Sequence, residues 1–255
     1  MIDPRLIDGL QSLAGRRDGR PAVVGIAGAQ GSGKTTLARA LAERLHGAAF
    51  SLDDVYLTRA ERQGLASDVH PLLAVRGPPG THDLDLAHLT LDALVRGEPA
   101  ALPRFDKLAD DRMAPVAFHG EAGVVIVDGW CLGATAQDEA ALVEPVNALE
   151  RDADPAAVWR SFVNSRLAAE YQTFFGRFDV MVHLAAPSFD AVLDWRCEQE
   201  AGLLGLPPTE LPGARRGELA RFIQHFERIT RHMLAGGVGA DVRTIQLTAD
   251  RALQT

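Results

Sequence analysis

The chain has 255 residues, 47% of them hydrophobic, enough for one sizeable α/β core or a small pair. A formal net charge of -8 excludes a nucleic-acid backbone as the main partner, because phosphate recognition on that scale needs a basic face. No apolar run is long enough to span a bilayer, "MIDPRLIDGLQSLAGRRDGR" carries acids where a signal peptide needs an apolar core, and Cys131 and Cys197 lack metal-type spacing; the expectation is a cytoplasmic protein with reduced thiols.

In chain order, residues 1–20 read as an amphipathic helix and an Arg/Gly-rich turn. Short β-branched runs then alternate with helical patterns: "AVVGIA" at 22–27, "AAFSL" at 48–52, "GVVIVD" at 123–128, "DVMVHL" at 179–184 and "VRTIQL" at 242–247. Near-continuous apolar strands separated by helices predict a mostly parallel sheet with helices on both faces, a three-layer α/β fold. After the first strand, Leu37, Leu41 and Leu45 recur every four residues and predict a helix with one apolar face. Asp154 and Pro155 read as the cap and first position of a helix carrying Val158, Phe162, Val163 and Phe174. The last long helix puts Leu219, Phe222, Ile223, Phe226, Ile229 and Met233 on one side, a core stripe. Residues 58–83 and 203–217 read as long loops, which inside one compact domain are usually functional.

Between the first strand and the leucine-striped helix stands "GAQGSGKTT", residues 28–36. Gly28, Gly33, Lys34 and Thr35 match the spacing G-x-x-x-x-G-K-[ST] of a P-loop, with an extra glycine at Gly31. Glycines let the backbone wrap, the N–H groups of Ala29, Gln30, Gly31, Ser32, Gly33 and Thr36 face phosphate at the helix N-terminus, Lys34 reaches the β and γ oxygens, and the Thr35 hydroxyl takes Mg2+. Lys34 is one of two lysines against 24 arginines; the other is Lys107. Asp128, closing the apolar run "GVVIVD", is the expected acid beside the metal. The chain has no Asn/Thr-Lys-x-Asp element to read guanine, so ATP is the expected nucleotide. "SLDDVYL" puts Asp53 and Asp54 at the carboxyl end of the second strand, where one of them would meet an attacking hydroxyl. Trp130 and Trp195 read as packing, and "TADR" after the last strand as a candidate for the adenine side.

Together "SLDDVYLT", "HPLLAVRGPPGTHDLDL", "PRFDKLADDR", "VDGWCLG", "LDWRCEQE" and "FERITRHML" resemble the D-glycerate 3-kinase type of plants and fungi, within the wider P-loop group of phosphoribulokinase, uridine kinase and pantothenate kinase. The resemblance runs from about residue 20 to 250, although the segment after "FDK" is shorter here than is common in the family. It implies Asp53 as the base, Asp128 beside the metal and Arg196 in "WRCEQE" as the lid arginine over the transferred phosphate. It also places Arg104, Asp106 and Lys107 beside the acceptor. A glycerate carboxylate needs a cation, and Arg76, Arg104, Arg112 and Lys107 all lie in segments able to supply one. Asp54 and Tyr56 join the acceptor side, while His82 and Asp83 fit either that side or a helix N-terminus.

The resulting expectation is one P-loop kinase domain over residues 1–255, with acceptor-loop and lid insertions at 58–83 and about 189–217. It uses ATP and Mg2+, phosphorylates a primary hydroxyl of a small molecule, with D-glycerate to 3-phosphoglycerate the leading case, and acts as a monomer or homodimer without nucleic acid or membrane. The alternatives are a pantothenate- or nucleoside-type kinase and a regulatory P-loop ATPase.

Overall fold

The computed structural model describes Asp8 and residues 19–254; the expected N-terminal helix otherwise lies outside the described residues. Strand β1 (Ala22–Gly28) leads into helix α1 (Lys34–Arg44), and β2 (Ala48–Ser51) into a 3-10 turn at Leu52–Val55. Next come α2 (Arg59–Asp68), α3 (Leu84–Val95), the hairpin β3 (Ala100–Asp106) and β4 (Asp111–Phe118), and β5 (Val124–Gly129). Helices α4 (Ala148–Ala153), α5 (Val158–Arg166) and α6 (Gln172–Phe175) precede β6 (Val180–Ala185), α7 (Phe189–Leu203), α8 (Gly213–Leu234) and β7 (Val242–Gln246).

The main sheet has the order β2-β5-β1-β6-β7, and every neighbouring pair is parallel. Strands this apolar must be covered on both faces, and they are. Val23 and Ala27 of β1 enter one core with Leu91 of α3, Val163 of α5 and Phe174 of α6; Val24 and Ile26 enter the other with Leu37 and Leu41 of α1 and Val192 of α7. Leu37 and Leu41 are fully buried, each contributing about 1.5–3 kcal/mol relative to exposure, which anchors α1 and hence the loop ahead of it. Helix α8 serves both faces, with Phe226, Ile229 and Met233 on the first and Ile223 on the second. Among the described residues no helix is long and apolar enough to cross a membrane.

Three expectations need correction. Residues 58–83 are not an open loop: Thr58 and Glu61 form a capping box that starts α2, and Pro71–Ala74 adds a 3-10 turn. The 203–217 loop is shorter than expected, because α8 already begins at Gly213. Asp154 ends α4 instead of opening the next helix, which starts at Val158; its carboxylate still accepts from the N–H groups of Trp159 (2.9 Å) and Arg160 (3.1 Å). It therefore caps α5 from four residues upstream. Helices α5 and α6 are joined without a break by a π turn at Leu167–Tyr171.

Candidate active site

The carboxyl ends of β1, β2 and β5 meet at one edge of the sheet, and Ser51 lies directly opposite Asp128 in the β2–β5 register. The loop from Gly28 to Gly33 turns over this edge. Gly31 has φ +79 and packs so closely on α7 that a Cβ there would stand 2.6 Å from that of Trp195. Gly33 caps α1 at φ +88 in the left-handed region, which only glycine adopts without strain. The loop is thus shaped by its glycines at both the packed and the open position.

Lys34 is buried, with Nζ donating to the Ala29 carbonyl at 3.4 Å, and burial lowers its pKa against the pull of Asp53 and Asp128. Thr35 donates through Oγ1 to Asp128 at 2.7 Å, and Ser51 donates to the same carboxylate at 3.2 Å. Burial pushes the Asp128 carboxyl up to about 6, with Lys34 opposing. The Thr35 hydroxyl and Asp128 carboxylate are hard oxygen donors that suit Mg2+, which takes one or two protein groups and completes its shell with phosphate oxygens. No group of three or more His, Cys, Asp and Glu able to hold a metal alone occurs among the described residues. The buried Gln30 Oε1 and Ser32 Oγ lack hydrogen-bond partners in the loop, so two polar atoms beside the phosphate position remain unused.

A cavity of about 400 Å³ opens from this loop. Gly31, Gly33, Lys34, Thr35 and Thr36 form one wall, Asp53 and Lys107 the second, and Trp195, Glu198, Gln199 and Arg251 the third. The volume falls within the range of small-ligand sites.

The two adjacent acids divide their work. Asp54 accepts from the Ser51 N–H at 3.0 Å as part of a capping box, and Arg104 stands 3.5 Å from it. Asp53 faces the cavity, taking the Tyr56 hydroxyl at 2.7 Å on Oδ1 and Lys107 Nζ at 2.6 Å on Oδ2. Burial opposes ionisation of Asp53, but the Lys107 and Lys34 ammonium groups outweigh it and hold its carboxyl well below the usual range. Asp53 is therefore ionised at every physiological pH. Tyr56 stacks on His82 with centroids 4.8 Å apart and meets the edge of Phe105, and burial and the Asp53 charge keep its hydroxyl protonated. Burial lowers His82 to about 3, so the ring is neutral; Nδ1 pairs with the Tyr171 hydroxyl at 2.5 Å.

Several expected acceptor contacts are engaged elsewhere. Asp83 caps α3 through the Leu86 N–H at 2.9 Å and pairs with Arg112 at 2.8 Å. Asp106 closes the hairpin turn, accepting from the N–H groups of Leu108 and Ala109 at 2.7 and 3.1 Å. Arg76 pairs with Asp110, and its guanidinium lies 5.7 Å from the centre of the Phe105 ring. His82 is buried behind Tyr56 as a packing and positioning group. Arg196 is not brought to the cavity wall; it meets Glu200 at 2.9 Å along α7. The arginine that does reach the wall is Arg251, which donates from Nε to the Gly31 carbonyl at 2.6 Å and from Nη2 to Glu198 at 2.6 Å, and lies 5.0 Å from the Trp195 ring centre. It comes from "TADR", the segment marked for the adenine side. Trp195 is a packing residue as expected, but it also forms part of the cavity. Nothing in the local pattern distinguishes Glu198 or Gln199 from ordinary helix-surface residues.

No family model matches the chain. An uncharacterized kinase of Schizosaccharomyces pombe is 34% identical over 227 residues, 82% of this chain and 79% of that protein. The chloroplastic D-glycerate 3-kinase of Arabidopsis thaliana is 32% identical over 205 residues, 72% of this chain and 42% of that longer protein. Among solved structures, a D-glycerate 3-kinase from Cryptococcus neoformans superposes with a TM-score of 0.77 over 98% of both chains at 23% identity, which speaks to the fold. With a relative 34% identical over 82% of its length, the chain belongs to the P-loop kinases, in the group of D-glycerate 3-kinase, uridine kinase and phosphoribulokinase.

Proposed function

We propose that the protein moves the γ-phosphoryl group of ATP, with Mg2+, to a primary hydroxyl of a small hydroxy acid, D-glycerate yielding 3-phosphoglycerate being the acceptor best supported. The observation that carries this reading is the meeting of Asp53 and Lys107 at 2.6 Å inside the cavity that Lys34 and Thr35 also line. An acid to receive a hydroxyl and a cation to receive a carboxylate stand side by side next to the phosphate loop. The names of the Arabidopsis and Cryptococcus relatives support glycerate in particular.

In this reading the acceptor oxygen forms a bond to the γ-phosphorus while the bond from that phosphorus to the β–γ bridging oxygen breaks, and ADP departs with the electron pair. Asp53 orients the hydroxyl and takes its proton late, when the forming O–P bond has made that proton acidic, so a weakly basic carboxylate suffices. Lys34 and the loop N–H groups counter the charge on the phosphate oxygens. Mg2+, when bound, neutralises the β and γ oxygens, and Thr35 and Asp128 are the residues that would hold it. Ser51 keeps the Asp128 carboxylate in place, and Tyr56 does the same for Asp53.

The test is ADP release from Mg-ATP by the purified protein with D-glycerate, L-glycerate, pantothenate, uridine and ribulose 5-phosphate, with the product position read by phosphorus NMR. Stimulation by D-glycerate alone, with phosphate on C3, is the expected result. Stimulation by uridine or pantothenate alone would replace the acceptor, and hydrolysis indifferent to all five would refute the transfer reading.

A further inference from the structure

Five cations surround the acceptor side, and four are fixed. Arg62, 1% exposed, donates to the carbonyls of Leu57, Ala74 and Asp110 and pairs with the Asp110 carboxylate at 2.9 Å. Arg76 shares that carboxylate. Arg112 is held by the Tyr56 carbonyl and Asp83, each at 2.8 Å, and Arg104 by the Pro103 carbonyl at 2.8 Å with Asp54 further off. Lys107 differs: it sits near the tip of the hairpin, its side chain is 59% exposed, and its ammonium lies on Asp53 at the cavity wall.

Each oxygen of Asp53 already carries a donor, and of the two donors only Lys107 lines the cavity from which a hydroxyl must approach. The Tyr56 hydroxyl cannot leave, because its ring is buried, stacked on His82 and flanked by Phe105. The Lys107 ammonium can. Its ion pair is with Asp53, so a second carboxylate can take the ammonium over by exchange, whereas a neutral acceptor would have to break that pair and leave the ammonium without a counter-charge. We infer that Lys107 sets acceptor specificity: it covers Asp53 until the carboxylate of a hydroxy acid draws it away, which uncovers Oδ2 for that acid's hydroxyl. This rests on the reading of Asp53 given under Proposed function. A neutral polyol offers no counter-charge and leaves Asp53 covered. Water likewise fails to uncover it, so the same pair suppresses hydrolysis of ATP to ADP and phosphate when no acceptor is present.

The experiment compares the wild type with Lys107→Met and Lys107→Arg, using ADP release from Mg-ATP with D-glycerate, with its neutral carboxamide, and with no acceptor. The wild type should favour the acid over the amide by about a hundredfold or more in kcat/KM. Lys107→Met should bring that ratio within about tenfold, chiefly through KM for the acid, with KM for ATP within about threefold and acceptor-free hydrolysis raised severalfold; Lys107→Arg should restore discrimination. An unchanged acid-to-amide ratio in Lys107→Met, or equal loss on both acceptors, would overturn the inference. Should the wild type ignore every acid in the acceptor panel, the transfer reading fails separately, and the covering of Asp53 then stands or falls on acceptor-free hydrolysis: no rise in Lys107→Met refutes it.

Discussion

Gly31 and Gly33 lie two residues apart in the phosphate loop, both with positive φ, and an alanine at each separates backbone strain from packing. At Gly33 an added Cβ meets nothing within 4 Å, so Gly33→Ala costs only the left-handed backbone penalty of about 1–2 kcal/mol. At Gly31 the same backbone penalty is joined by a Cβ 2.6 Å from Trp195 Cβ and 3.0 Å from its carbonyl carbon. Neither atom belongs to a flexible side-chain end, so the loop or α7 must shift, an overpacking cost of about 1–3 kcal/mol. The excess for Gly31→Ala is that second contribution alone. At about 2–4 °C per kcal/mol for a chain of this size, Gly31→Ala should melt roughly 2–12 °C below Gly33→Ala. Thermal unfolding followed by circular dichroism, at one pH and without nucleotide, measures the difference. Gly33→Ala should lose ATP affinity with no stability loss beyond that backbone penalty, because its methyl stands in open space beside the cavity that Gly33 lines. Equal melting temperatures for the two variants would refute the claim that the loop is wedged against Trp195.

Asp53→Asn should leave ATP binding within a few fold while lowering phosphoryl transfer by about 10²–10⁴, and full activity would remove Asp53 from the mechanism. Arg251→Ala removes charge-assisted bonds to the Gly31 carbonyl and Glu198, so KM for ATP should rise about tenfold or more with kcat little changed, in steady-state kinetics over an ATP titration. Asp128→Asn should abolish transfer yet stabilise the nucleotide-free protein near pH 8. The folded-state pKa of about 6 lies above the unfolded value, so the folded state binds the extra proton between them, and the penalty of a buried carboxylate grows as pH rises through 6. The melting-temperature gain should therefore vanish below about pH 4, and a gain that persists there would show that burial of the charge is not its source.

The parallel sheet was legible because β1, β5 and β6 are almost wholly apolar, which only a doubly covered sheet explains, and because the glycines and Lys34 at the end of β1 have few other uses. The β3–β4 hairpin was not. Pro103 and Pro115 interrupt its strands, β4 is largely exposed, and no alternation of apolar residues marks either one. Helix α2 carries a readable T-x-x-E start at Thr58 and Glu61, but what it buries is Arg62, and a polar anchor leaves no hydrophobic period to follow. The choice of Asp53 over Asp54 came from resemblance, and its physical reason lies in the capping box: the third residue after Ser51 is taken by the backbone, and the second is left to face the cavity. Arg196 and Arg251 could not be ranked from sequence, because a turn after β7 brings residue 251 back to residue 31.

The π turn at Leu167–Tyr171 sets the angular phase between the two ends of the rod made by α5 and α6. A π turn holds one residue more than an α turn, and here that surplus lets two helices keep different angular phases. Trp159 and Val163 reach the core on the phase of α5; Phe174 and Phe175 reach it on the phase of α6, while Tyr171 at the junction accepts the Gly80 N–H and pairs with His82. Deleting one residue here would leave a more regular helix and a less consistent molecule, since everything on one side would turn by about 100° relative to the other. The irregularity is what lets one continuous rod serve the core along two phases and still hand Tyr171 to His82 behind Tyr56.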